Sequence, residues 1–175
     1  MSLAERVVLS FVVGSQRFNY RTAAVIIRDG HVLVCREDDD DYVMLPGGRV
    51  EMGETSHSAL SREIAEELHS TAEIGPLVYT VENFFERAGQ RFHEIAAYYR
   101  VTLPESFPFR SEGIAFETYD EGHLLRFTWL PLRAAALGEA NLLPRWMIER
   151  LADLPEATQH LVMHELPREA SRAAS

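Results

Sequence analysis

The stretch Leu45 to Ser70, LPGGRVEMGETSHSALSREIAEELHS, gathers Glu51, Glu54, Glu63, Glu66 and Glu67 directly after a proline and two adjacent glycines. Crowded carboxylates repel one another and titrate abnormally unless a cation sits among them or water screens them. Two readings are open: a solvated acidic helix, or a set of oxygen donors for a hard divalent cation such as Mg²⁺. The second suits phosphate-ester chemistry, in which metal ions neutralise phosphate oxygens and activate a water while another carboxylate accepts its proton. The glycine turn supports it, because backbone without side chains lets a ligand approach closely.

Leu60, Ile64 and Leu68 recur every four residues and predict a helix from about Ser56 to His69 with this stripe facing the core. On that helix Glu63, Glu66 and Glu67 project to one side. The side flanks the apolar stripe instead of opposing it, so the acids fall where the helix meets its neighbour. Glu54 lies nine residues before Glu63, half a turn out of phase. It belongs to the incoming loop or first turn, where the helix dipole favours a carboxylate and where it can return to pair with Arg62.

The elements around this segment read as a mixed α/β domain. Val7 to Val13 and Arg21 to Arg28 read as strands, and Asp29-Gly30 predicts a hairpin inside TAAVIIRDGHVLVCR. EDDDD, Glu37 to Asp41, reads as a solvated loop or one that senses a charged ligand. LVYTVENFFER and RFHEIAAYYRVTL form a second predicted hairpin, and LLRFTWLPL a further strand. Pro104 to Gly122 reads as irregular, Leu132–Glu139 and Pro144–Leu154 as short helices, and TQHLVMHEL as a last strand or packing arm. A single domain over 1–166 is expected, with an N-terminal strand extension over about 1–20 and a flexible tail at 167–175.

Composition narrows the function. The net charge of −10 argues against binding nucleic acid or anionic lipid, although a small phosphorylated ligand remains compatible where metal ions reverse the local field. No apolar run approaches a membrane span and the N-terminus lacks the order of a signal peptide. One cysteine, Cys35, excludes an internal disulfide framework, suits a cytoplasmic protein and reads as a buried small hydrophobe. Every basic residue is arginine, so any basic side chain that holds a phosphate here is an arginine, with Arg49, Arg87 and Arg91 as candidates. His93-Glu94 reads as an outward polar pair or a cleft contact, and Phe84 and Phe85 as core or as a stacking surface for a base.

Taken together, Gly48, five residues, Glu54, seven residues, then Arg62-Glu63-Ile64-Ala65-Glu66-Glu67 resembles the Nudix hydrolase signature at every charged position. His69 and Ser70 depart from it, standing where a glycine and an apolar residue are usual. The resemblance implies an α/β/α sandwich with a mixed sheet and the signature as loop-helix-loop. It implies Mg²⁺- or Mn²⁺-dependent hydrolysis of a nucleoside diphosphate linked to another moiety. It implies Glu66 and Glu67 as metal ligands with the Gly47 carbonyl, Glu63 as ligand or general base, and Glu54 with Arg62 as an orienting pair. A later carboxylate often joins such sites, and Glu112, Glu117 and Glu121 are the candidates. Homodimers are frequent in the family, so that state is compatible. The extended Ser-Gln-Pro-Trp-Pro-Phe-Pro array of NADH-type members is not found. The competing function is a Nudix-fold nucleotide-binding or regulatory module without turnover.

Overall fold

Thr22 to Ile26 are all buried, yet a strand sends successive side chains to opposite faces. Both faces of the sheet they build must therefore be covered, and two apolar cores do so. The computed structural model describes residues 6–165. Its elements run β1 (Ser10–Val13), β2 (Gln16–Arg28), β3 (His31–Glu37), β4 (Val43–Met44), α1 (Ser56–Leu68), β5 (Glu73–Arg87) and β6 (Gln90–Thr102). They continue with β7 (Ile114–Asp120), β8 (His123–Pro131), α2 (Ala134–Glu139), β9 (Leu142–Leu143) and β10 (Gln159–His164). Ala24 and Ile26 of β2 face a core closed by Leu60, Ile64 and Leu68 of α1. Ala23 and Val25 face the other, closed by Leu137 of α2 with Leu142, Met147 and Leu151. The layers are helix, mixed sheet, helical and turn segment.

β2 joins the two halves of the sheet. Along Gln16–Ile26 it pairs in parallel with β6, which continues through β5 to β10. At Ile27 and Arg28 it pairs antiparallel with β3, which leads to β8 and β7 on one side and β4 and β9 on the other. Asp29 and Gly30, at φ 48° and 71°, make the left-handed two-residue turn that an Asp-Gly pair favours. Ala88 and Gly89, at φ 50° and 76°, do the same between β5 and β6.

Three elements differ from the sequence reading. Within the segment expected to be irregular, Ile114–Asp120 is a strand paired with β8, and a register shift between Ile114 and Phe116 breaks the alternation that would mark it. The expected helix Pro144–Leu154 shrinks to a 3-10 turn at Arg145–Met147. Met147 and Leu151 already anchor that segment in the core, so its packing does not require a full helix. β2 begins at Gln16, not Arg21, because Gln16 to Asn19 pair with both β1 and β6. The tail expected at 167–175 lies outside the described residues.

α1 starts at Thr55, whose hydroxyl accepts from the Ser58 N–H while the Ser58 hydroxyl takes the Thr55 N–H, a reciprocal cap. It ends at His69, which adopts φ 48°, the left-handed conformation that glycine takes at little cost. The His69 ring is within hydrogen-bonding distance of Thr118 Oγ1 at 3.1 Å and packs edge-on against Phe116, contacts that hold the strained residue. In urea unfolding, Leu60→Ala is expected to cost about 2–5 kcal/mol and Thr55→Ala about 1 kcal/mol. Equal losses would contradict this division between packing and capping.

Candidate active site

The glycine loop is stitched to β2 as an irregular strand. Ala24 N–H donates to the Pro46 carbonyl at 2.8 Å, Thr22 N–H to Gly48 at 2.9 Å and Val50 N–H to Tyr20 at 2.9 Å. Gly47 requires glycine, and Gly48 makes room for a helix carboxylate. Gly47 sits at φ 135°, and a Cβ there would lie 2.3 Å from the Thr22 carbonyl oxygen. A Cβ on Gly48 would lie 2.3 Å from the carboxylate carbon of Glu63. The missing side chains let the loop backbone lie directly against a helix carboxylate.

Arg62 organises the acids. Its Nε and Nη2 grip both oxygens of Glu54 at 2.8 and 2.9 Å, and Nη1 reaches Glu63 Oε1 at 2.8 Å and Glu66 Oε2 at 3.1 Å. Nη2 also donates to the Arg49 carbonyl at 3.2 Å, tying helix to loop. The Glu54 contact holds that carboxyl below its usual range, and the carboxylates raise the Arg62 guanidinium above its own. Arg6, which the sequence reading did not single out, bridges Glu51 at 2.6 Å and Glu66 at 3.0 Å.

Glu63 and Glu67 receive less. Glu63 is 9% exposed, and burial pushes its carboxyl up against the opposing pull of Arg62. Burial, then the neighbouring Glu63 charge, pushes Glu67 up to about 8, against a hydrogen bond from the Gly47 backbone. Among the described residues no basic side chain forms an ion pair with Glu67. The β7 carboxylate whose charge also bears on Glu67 is Asp120. The three candidates from that region are placed otherwise: Glu112 is exposed, Glu117 pairs with Arg126 at 3.4 Å, and Glu121 occupies the β7–β8 turn at φ 47°. Asp120 escaped notice because nothing in an irregular reading of its segment says which acids share a face.

The carboxylates are not preassembled into one shell. Glu63 and Glu66 are drawn to the same nitrogen of Arg62, while Glu67 turns to the Gly47 N–H. Among the described residues, the one metal-type group with all its ligand atoms within 4.8 Å of one another is Glu37, Asp38 and His123. That group is largely solvent-facing, with His123 Nδ1 2.7 Å from Asp38 Oδ2. The Gly47 carbonyl accepts from Arg21 Nη2 at 3.0 Å, which occupies one of its two lone-pair directions. The donors nonetheless fit a hard divalent ion, since they are all oxygens and the buried Glu63 and half-buried Glu67 form a like-charged pair that desolvation disfavours.

Residues 19–151 match the NUDIX domain family. The chain belongs to the Nudix family. Its fold is similar to that of a MutT mutator protein from Bacillus halodurans, at 15% identity, TM-score 0.57, over 84% of this chain and 90% of that one. It is also similar to an ADP-ribose pyrophosphatase from Streptococcus suis, at 16% identity, TM-score 0.51, over 82% and 98% of the two chains. A UDP-X diphosphatase aligns at 18% identity and TM-score 0.50 over 86% and 68%. No curated protein matches the sequence significantly. The signature of this Nudix-type hydrolase is the loop and helix just described, Gly48 to Glu67.

Beside the Nudix signature a cleft of about 600 Å³ opens on the other face of β2, lined among others by Arg21, Arg49, Arg87, Asn83, Phe85 and Glu94. Arg21 connects the two places: it lines the cleft, donates to the Leu45 and Gly47 carbonyls, and its charge opposes the rise of the Glu63 and Glu67 carboxyls. Of the arginines considered for phosphates, Arg49 and Arg87 face the cleft, while Arg91 pairs with Glu86 at 3.9 Å. Cys35, expected to be buried, is half-buried against the core beneath α1, and desolvation pushes its thiol well up. Among the described residues no helix is long and apolar enough to cross a membrane.

The raised Glu67 carboxyl sets a pH dependence for the metal-free protein. The unfolded chain releases this proton near 4.5 and the folded chain near 8. Folded protein therefore binds more protons between those values, and this group makes stability fall as pH rises through that window. Without metal, Glu67→Gln is expected to melt higher than the unaltered protein by a margin that widens from pH 5 to pH 8. A margin independent of pH would contradict the assignment. Gly48→Ala is expected to lower the melting temperature and displace Glu63, which a crystal structure of the variant would check.

Proposed function

We propose that the chain hydrolyses the diphosphate bond of a nucleoside diphosphate linked to another moiety, with Mg²⁺ or Mn²⁺ as cofactor. The observation that carries this reading is the neighbouring Glu63–Glu67 pair, buried and half-buried, with the Glu63 carboxylate lying in the space that Gly48 leaves open. Glu66, Glu67 and Glu63, with the remaining lone pair of the Gly47 carbonyl, are the groups to hold the ion. When bound, a divalent ion neutralises phosphate oxygens and makes water a competent nucleophile at neutral pH.

The chain's own residues supply the rest. Arg62 fixes Glu63 through Oε1, leaving Oε2 to serve as metal donor or to accept the proton of the attacking water. Glu54 orients Arg62 through two hydrogen bonds and accepts from the Glu51 N–H at 3.1 Å, so the loop and the helix move as one. Arg21 and Arg49 line the route from the carboxylates into the cleft and are placed to take phosphate oxygens. The ligand is a small nucleotide-type molecule; net charge opposes nucleic acid and membrane surfaces. The single, half-buried cysteine suits work in the cytoplasm.

A second reading, a nucleotide-binding module without turnover, draws on one observation. Arginine already satisfies Glu66 from two sides and the Gly47 carbonyl from one. The two readings part in a panel of nucleoside triphosphates, ADP-ribose and nucleotide sugars, with products identified by mass. Release of a nucleoside monophosphate is expected with Mg²⁺ or Mn²⁺ and none with chelator. Glu63→Gln and Glu67→Gln are each expected to slow it by roughly 10²–10⁴-fold. Tight binding without product at any divalent metal would select the module, and unchanged rates in both variants would remove these residues from the chemistry.

A further inference from the structure

The cleft carries a polar row that the hydrolytic chemistry leaves unused. In register across three neighbouring strands, Asn19 of β2 lies beside Glu94 of β6, which lies beside Asn83 of β5. All three are buried, at 6%, 8% and 4% exposure, and all three line the cleft. Asn19 Oδ1 accepts from Ser10 Oγ at 2.7 Å, so its amide nitrogen is the end left for Glu94. Asn83 Oδ1 has no hydrogen-bond partner in the structure. Burial raises the Glu94 carboxyl, with Arg21 and the two asparagine amides opposing it. A buried amide oxygen without a donor costs about 1–3 kcal/mol, and a sheet gains nothing from three such side chains abreast on one face.

The neighbouring rows show what fits there. One step along the same face, Phe92 pairs with Phe85, their rings parallel within 3° at 4.7 Å between centroids. One step the other way stand Arg21, Ala96 and Val81, of which Arg21 lines the cleft and leads to the Nudix carboxylates. Aromatic carbon, hydrogen-bond acceptors and a phosphate-facing cation thus follow in order along the strands. A flat heterocycle can lie along the phenyl row with its polar edge on the acceptors and its phosphates toward Arg21.

We propose that Asn83 and Glu94 read the base of the substrate, and that they select an edge with two adjacent N–H donors, the pattern of guanine. The inference rests on the diphosphohydrolase reading for the direction in which the phosphates point. Guanine offers a ring N–H beside an exocyclic amino group, one for each acceptor. Adenine and cytosine set a ring lone pair next to their amino group, which turns an acceptor against the Glu94 oxygen. Hypoxanthine keeps the ring N–H and lacks the amino group, leaving one buried acceptor unsatisfied. A ribose diol could also donate twice, but it makes no use of the phenyl row.

Calorimetric titration with GMP, IMP, AMP and ribose 5-phosphate, in chelator, tests this without turnover. GMP is expected to bind roughly tenfold or more tightly than IMP, the penalty of one unsatisfied buried acceptor. Glu94→Gln, which replaces one acceptor with a donor, is expected to weaken GMP and shift preference toward AMP, whose edge pairs a donor with an acceptor. A change of preference is a readout that mere destabilisation would not produce, and the series on the unaltered protein stands whatever the variant's folding. Equal affinity for GMP, IMP and AMP, ribose 5-phosphate binding as tightly as GMP, or no GMP binding would each overturn the proposal. Hydrolysis of every nucleotide at one rate would overturn base selection and leave the hydrolase; selective binding without any product would do the reverse.

Discussion

Arg62 stands among carboxylates that would otherwise drive one another apart. Its guanidinium binds both oxygens of Glu54 and one each of Glu63 and Glu66, while also holding the Arg49 carbonyl. Hydrogen bonds to a charged partner contribute about 1.5–3 kcal/mol each, and the planar fork of arginine serves several of them without rearrangement. Because Glu54 lies in the incoming loop and Glu63 in the helix, this one side chain fixes the angle between them. The contact of Gly48 with the Glu63 carboxylate is the other half of the constraint, since a Cβ there would push that carboxylate from its place against the loop.

The charges are distributed unevenly, and the unevenness has a use. Arg6 and Arg62 neutralise Glu51, Glu54 and Glu66 at the rim. Glu63, paired with Arg62, and Glu67, with no basic ion-pair partner among the described residues, lie deeper in, and in the metal-free protein burial pushes their carboxyls up. A divalent ion entering there would relieve a repulsion that the fold has already imposed, and Glu66 would leave its arginine partners to join it. β2 carries the same logic to the cleft. One of its faces supports α1 through Ala24 and Ile26, while the other presents Asn19 and Arg21 to the cleft.

Much of the helix was legible because its chemistry is local. Apolar spacing placed α1 to within a residue of its observed end, and the phase of Glu54 against Glu63 pointed to the Arg62 pair that the structure contains. His69 stands where the signature has a glycine, and contacts to Thr118 and Phe116 hold it in the left-handed conformation that ends the helix. Those partners lie some fifty residues away, beyond any local reading. The same limit hid Asp120, whose relation to Glu67 depends on a strand that the sequence disguises with a bulge and a run of acids. The role of Arg21 was invisible for a similar reason, since a lone arginine in a strand does not reveal which carbonyls its tip will meet. Glu94 could be read as outward or cleft-facing; only the register with Asn19 and Asn83 settles that it faces the cleft.

The most direct measurement is anomalous diffraction from crystals soaked in Mn²⁺. Density for an ion between Glu63 and Glu67 is expected, with Glu66 swung away from Arg6 to join it. An ion bound only at the exposed Glu37–Asp38–His123 group, with Glu67 still turned to the Gly47 N–H, would contradict the assignment of the buried carboxylates as the metal centre.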